Sequence, residues 1–315
     1  MLDPNELRNQ KPFTPNRERA DIPARSWVDA LLPRPARPFA RLARLDRPIG
    51  TWLLVLPAWW ALAMAGFGVM GTKLMFLFLA GAMVMRGAGC TYNDIVDRDI
   101  DARVARTATR PLPAGEVSVR AAWIFLAAQL AVGLLILLQL NRPAVIFGAA
   151  SLLLIATYPF MKRITYWPQL WLGLTFNWGV LVGWVAQRDQ FETAALPLYV
   201  AGIFWTLGYD TIYAHQDRED DALAGVKSSA LALGRLTKPF VAVVYAIAFT
   251  LIAYASARIA TPSVTALVFL AAAGLHLVWQ VATLHINDPA NCLVRFRSNR
   301  DFGLLVLGSF LLQRF

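Results

Sequence analysis

Long apolar runs alternate with short polar interruptions along most of this chain. The apolar segments fall at about 49–70, 74–92, 121–140, 143–161, 168–186, 195–213, 239–258, 263–284 and 302–315. A helix crosses a bilayer with roughly 20 apolar residues, and all but the last segment approach that length. The residues inside them do not alternate apolar and polar with a period of two, so the spans are helices rather than strands of a membrane barrel. The pattern predicts an all-α, polytopic membrane bundle of about nine transmembrane helices, the ninth unusually short.

Residues 1–47 break the pattern. They are rich in Pro and Arg and hold no long apolar run. No apolar core follows a charged start, which excludes a secretory signal. Asp3, Glu6, Glu18, Asp21 and Asp29 make it a poor transit peptide as well. The expectation is a polar, mostly disordered tail over 1–47 and a membrane domain over 48–315. Within the tail, SWVDALLPRPARPFARLARL reads either as an amphipathic piece lying on the membrane or as a solvated linker.

Composition agrees with the pattern. The chain is 57% hydrophobic and only 16% charged, against roughly a quarter charged in soluble domains. The net charge of +10 would raise nucleic acid as a partner in a soluble protein. Its placement says otherwise. With the tail on one side, only Lys73, Arg142, Arg188, Arg258 and Arg314 of the 30 Lys and Arg fall on the opposite side, and Arg86 falls within a span. The positive-inside rule therefore puts the tail and the long loops in the cytoplasm, and nucleic acid is not needed to explain the charge. The acidic residues that interrupt the tail favour a bacterial inner membrane over a mitochondrial one. Two cysteines, Cys90 and Cys292, are too few for a disulfide framework.

Two long inner loops, about 93–120 and 214–238, each begin with an acidic cluster and run on through basic residues to Gly. In YNDIVDRDID, helical spacing places Asn93, Asp97 and Asp101 on one face, with Asp94 at its edge and Asp99 turned away. In YDTIYAHQDREDDALAG, Asp210, Asp217 and Asp221 share a face if the helix continues. Carboxylates stacked in this way repel unless a cation sits among them. A hard divalent ion such as Mg²⁺, which takes carboxylate oxygens and completes its shell with phosphates, fits both clusters and points to a diphosphate substrate. An acidic helix end facing water is the plainer alternative. Arg47, Arg110, Lys162 and Lys227 lie on the same side and could hold phosphate charge. Arg86 lies two helical turns inside the membrane from Asn93 and on the same face. A charge there faces the interior and binds something, either a ligand carboxylate or an inner Asp.

These motifs resemble those of the UbiA superfamily of intramembrane prenyltransferases. NDIVDRDID resembles its first Asp-rich motif and YAHQDREDD its second, and the likeness runs from LDRPIGTWLLVLPAWWA to about residue 310. MRGAGCTYND, RPLPAG, YPFMKR and YDTIYAHQDREDDALAGVKSSAL look like the branch that prenylates 4-hydroxybenzoate on the way to ubiquinone. The resemblance implies a helical bundle capped on the cytoplasmic side by the two Asp-rich loops. It implies Mg²⁺ held by Asn93, Asp97, Asp101, Asp217 and Asp221, with Asp94 as a further candidate. It places Arg47, Arg110 and Lys162 near the diphosphate of a polyprenyl donor, and Arg86 at the aromatic acid. Released diphosphate, Asp210 or Asp94 could take the ring proton. Two other readings stand beside this one: a member of the superfamily with another acceptor (naphthoate, haem, chlorophyllide, homogentisate), and a transporter for cations or anionic lipid.

Overall fold

Small polar residues and prolines open many of the helices. In this computed structural model, residues 26–314 are described except 67, 103, 105, 106, 260 and 261. The first part of the tail, with Asp3, Glu6, Glu18 and Asp21, lies outside the described residues. Residues 27–42, grouped with the tail from sequence, contain two short helices, α1 (Trp27–Leu31) and α2 (Arg37–Leu42). Leu42 is fully buried against Ala88, Ile95 and Leu112, so this segment packs onto the body of the protein.

Nine helices of 18 residues or more follow among the described residues, interrupted by two short ones: α3 (Ile49–Gly66), α4 (Val69–Asp101), α5 (Val119–Leu137), α6 (Arg142–Ile164), α7 (Pro168–Arg188), α8 (Leu196–Ala214), α9 (Arg218–Ala224), α10 (Ser229–Leu233), α11 (Thr237–Ile259), α12 (Val264–Ala282) and α13 (Pro289–Leu311). No strand occurs among the described residues. Ser118, Asn141, Ser263 and Asp288 cap α5, α6, α12 and α13 by accepting backbone N–H groups of the first turn. Pro168 and Pro289 occupy first helical positions, where the missing N–H costs nothing.

Among the described residues, six helical stretches are long and apolar enough to cross a membrane. The protein is an integral membrane protein, and its surface agrees. Ile124, Leu135, Leu153, Val264 and Leu275 are all exposed, an apolar belt that only lipid covers without penalty. α3 sits at the centre of the bundle. Trp60 is fully buried, donates Nε1–H to the Gly303 carbonyl at 2.8 Å, and packs against Trp205 and Phe302.

Three sequence expectations change. Residues 93–101 do not begin a loop. They are the last turns of α4, whose 33 residues span about 50 Å, well beyond a bilayer core. The short ninth segment is half of a 23-residue helix, α13. Its first half carries Arg295, Arg297, Arg300 and Asp301 and hid the helix from a hydropathy reading. Lastly, α8 does not run on through the second acidic cluster. Past Ala214 the N–H groups of His215, Gln216 and Asp217 bond three residues back, to Ile212, Tyr213 and Ala214. Asp217 has φ −110° and ψ 4° and starts a separate helix, α9. The buried His215 ring, 2.9 Å from Thr237 Oγ1 at the start of α11, fixes the break.

Candidate active site

The C-terminal end of α4 carries Asp94, Asp97 and Asp101, all buried. Charges so placed need partners, and the protein supplies them. Arg44 Nη2 lies 2.8 Å and Arg110 Nη1 3.2 Å from Asp94 Oδ1. The same Arg110 Nη1 lies 2.8 Å from Asp101 Oδ2. Asp97 receives Arg163 Nη2 at 2.9 Å and Lys162 Nζ at 2.7 Å. The Arg163 contact is a directed hydrogen bond; the Lys162 contact is an ion pair off the hydrogen-bonding direction. Asp99 is exposed beside Arg98, off the face, as the spacing predicted.

A cavity of about 1390 Å³ opens next to this layer. Ordinary ligand pockets run about 300–1,000 Å³, so there is room for a large substrate. Its polar end is lined by Arg47, Arg86, Asn93, Asp94, Arg110 and Asp210. Its apolar arm runs between α4, α5, α6 and α7 past Phe78, Leu134, Leu152 and Phe176. Arg86, Gly89, Cys90, Asn93 and Asp94 all line it, the i, i+3, i+4, i+7, i+8 stripe of one helical face.

Arg86 donates Nη1–H to the Arg44 carbonyl at 3.0 Å and makes no ion pair among the described residues. An inner Asp is therefore not its partner there. A Cβ on Gly50 of α3 would overlap its guanidinium, so that glycine makes room for it. Arg44 has φ 58°, a left-handed conformation rare outside glycine. Its side chain anchors Asp94 while its carbonyl anchors Arg86. Sequence reasoning counted Arg44 as tail charge and missed this role. Strain beside a functional site is a signal visible only in the backbone.

The remaining expected site residues stand apart from the cavity lining. Asp97, Asp101 and Lys162 belong to the ion-pair layer. Asp217 and Asp221 lie on α9 and its start, where the Asp221 N–H bonds the Asp217 carbonyl at 2.7 Å. Lys227 donates Nζ–H to the Ile164 carbonyl at 3.0 Å and lies over Tyr166, bracing the end of α6. Burial, then the charge of Arg218, pushes His215 down to about 4, so it stays neutral at physiological pH and adds no positive charge.

A hard cation is tested by the donor set. The carboxylate and amide oxygens of the two motifs suit Mg²⁺ or a similar ion. Asp94 Oδ2 is buried with no hydrogen-bond partner, so the motif holds unused acceptor capacity. Among the described residues, however, no three acidic, His or Cys side chains converge as a ligand cluster. Asp97 and Asp101 are turned to Lys162, Arg163 and Arg110 instead.

A membrane bundle with a buried carboxylate layer at one end and a cavity that is cationic at its head and apolar along its length defines a class: membrane enzymes acting on lipid diphosphates. A model of the UbiA prenyltransferase family matches residues 54–305, and the chain belongs to that family. It is 51% identical over 280 residues to the 4-hydroxybenzoate polyprenyltransferase, mitochondrial, of Bos taurus, covering 87% of this chain and 74% of that protein. It is 48% identical over 298 residues to the protein of the same name from Homo sapiens, covering 93% and 79%. The apo structure of a UbiA homolog from Aeropyrum pernix K1 superposes with a TM-score of 0.72 at 26% identity, covering 84% of this chain and 98% of that one. A UbiA homolog from Archaeoglobus fulgidus bound to GPP and Mg²⁺ shares the fold, with a TM-score of 0.65 at 20% identity over 86% and 99%.

Proposed function

We propose that this protein transfers a polyprenyl group from a polyprenyl diphosphate to the ring carbon ortho to the hydroxyl (C3) of 4-hydroxybenzoate, with residues 48–315 as the catalytic domain. The observation that carries the reading is Arg86. It is a guanidinium in the cavity wall with no acid partner among the described residues, on one face with Asn93 and the carboxylate layer. A benzoate carboxylate matches its fork. The names of the relatives above support the same acceptor.

The apolar arm takes the prenyl chain and keeps water from the allylic carbon. Arg47 and Arg110, at the polar end, hold the diphosphate, with Lys162 and Lys227, outside the cavity lining, as further candidate cations. Asn93, Asp97, Asp101, Asp217 and Asp221 would hold Mg²⁺, which requires Asp97 and Asp101 to exchange their present cations for the ion. Asp94 is a weaker ligand because Arg44 and Arg110 already claim it. When bound, the ion neutralises charge developing on the departing diphosphate. Asp210 lines the cavity and carries no cation among the described residues, whereas Asp94 is held by two guanidinium groups. Asp210 is therefore the better acceptor for the ring proton.

The site faces the compartment that holds the tail. For the membrane itself the proposal is a bacterial inner membrane; the eukaryotic relatives are named as mitochondrial. One assay tests the central reading. Purified protein in detergent or liposomes is given a polyprenyl diphosphate and, in turn, 4-hydroxybenzoate, a naphthoate and homogentisate, with Mg²⁺ or with excess chelator. Prenylation of 4-hydroxybenzoate that stops with the chelator is expected. Turnover of another acceptor alone would move the protein elsewhere in the family.

A further inference from the structure

Resting on the reading of Arg86 above, we infer that Gly89 is the acceptor-specificity residue: its missing side chain leaves the space in which the aromatic ring of the acid lies flat against α4. Gly89 is three residues after Arg86 and four before Asn93, on the cavity-lining face of the helix. A Cβ built on it meets nothing within 4 Å, so the space is open rather than filled by a neighbour. Other glycines nearby behave differently. A Cβ on Gly87 would press on Gln129 Nε2 at 2.7 Å, and one on Gly133 would overlap Met85. Those glycines serve helix packing, and Gly89 packs against nothing. Glycine inside a helix is unfavourable relative to alanine, so packing and helix propensity both leave this residue without a reason. Close approach of a ligand to the backbone supplies one.

The geometry assigns the ligand. Arg86 and Asn93 stand roughly 10 Å apart along the helix axis, with Gly89 between them. A carboxylate on Arg86 lays a single ring across Gly89 and directs its far edge toward the Asn93 end, where the diphosphate end of the donor is placed. The prenyl chain has other space to occupy, because the apolar lining lies about three turns before Gly89 on α4, at Phe78, and on α5 and α6, at Leu134 and Leu152.

Steady-state kinetics of the full-length protein and of Gly89→Ala and Gly89→Leu, with unfolding temperatures for each, test this. The KM for 4-hydroxybenzoate should rise with side-chain size, by about tenfold or more in Gly89→Leu, the scale on which a pocket senses a methylene or two. The KM for the prenyl diphosphate should stay within about twofold, well below that scale. Gly89→Ala should unfold at the same temperature as the wild type or higher. An unchanged acid KM in Gly89→Leu, a rise confined to the donor KM, or a lower unfolding temperature in Gly89→Ala overturns the inference. If the wild type itself does not prenylate 4-hydroxybenzoate, the functional reading fails and this inference fails with it. Normal wild-type turnover with an indifferent Gly89→Leu sinks the inference alone.

Discussion

At the scale of single residues, the site depends on how buried charges are shared. Arg86 is held by one carbonyl and otherwise faces the cavity. Arg86→Ala should therefore raise the KM for the aromatic acid far more than that for the donor. A charge-assisted hydrogen bond is worth about 1.5–3 kcal/mol, which predicts roughly a 10- to 100-fold rise. A rise in the donor KM alone would move Arg86 to the diphosphate. Arg44 has two separable parts. Arg44→Gly keeps the left-handed backbone that presents the carbonyl to Arg86, relieves its strain and loses the guanidinium on Asp94; Arg44→Ala loses the guanidinium and keeps the strain that Arg44 already bears. Both should be less stable than the wild type, with Arg44→Ala the worse by about 1 kcal/mol in denaturant titrations. His215 adds a pH effect. Its native pKa of about 4 lies below the ordinary value of 6.5, so its contribution is present above pH 6.5 and fades as pH falls toward 4. The wild-type unfolding temperature should drop more steeply between pH 7 and 5 than that of His215→Gln.

At the scale of elements, α4 is both a span and the carrier of the first acidic motif. Its last turns are neutralised by residues from three other places: Arg44 after α2, Arg110 in the loop before α5, and Lys162 and Arg163 at the end of α6. Asp97→Asn should abolish turnover while the protein still folds, as shown by an unchanged gel-filtration profile in detergent; full activity would remove Asp97 from the site. A polar lock joins four helices. Trp205 Nε1 donates to Asn299 Oδ1 at 2.8 Å, Tyr245 donates its hydroxyl to Gln280 Oε1 at 3.0 Å, and Asn299 and Gln280 bond each other. Asn299→Leu leaves Trp205 and Gln280 short of partners and should cost about 1–2 kcal/mol, read as an earlier unfolding midpoint in a denaturing detergent.

At the scale of the whole molecule, the apolar surface and the sidedness of charge act together. The bundle presents Leu, Ile and Val to lipid, while its centre, around Trp60, Trp205 and Phe302, is closely packed. Orientation can be read directly. In a background with Cys90 and Cys292 replaced, Gln190→Cys should react with an impermeant maleimide from outside intact cells, and Glu219→Cys only after permeabilisation. The reverse result would overturn the assignment of the site to the side of the tail.

The sequence by itself determined the helical membrane architecture and the first acidic motif. Each follows from local physics: bilayer-length apolar runs, and side chains four residues apart on one helix; the surplus of Lys and Arg on one side sets only the expected orientation. It also located Arg86, because a charge in an apolar run has no cheap alternative to a partner or ligand. It did not determine where helices end when the end is set by distant contacts. The break after Ala214 depends on His215 meeting Thr237, and α13 begins 13 residues before hydropathy would start it because Asp288 caps it and Cys292 and Asn299 on its first half are buried against the bundle. Nor could it give the role of Arg44 or the open space at Gly89. The first is a backbone conformation and the second an absence of neighbours, and both exist only once the chain has packed.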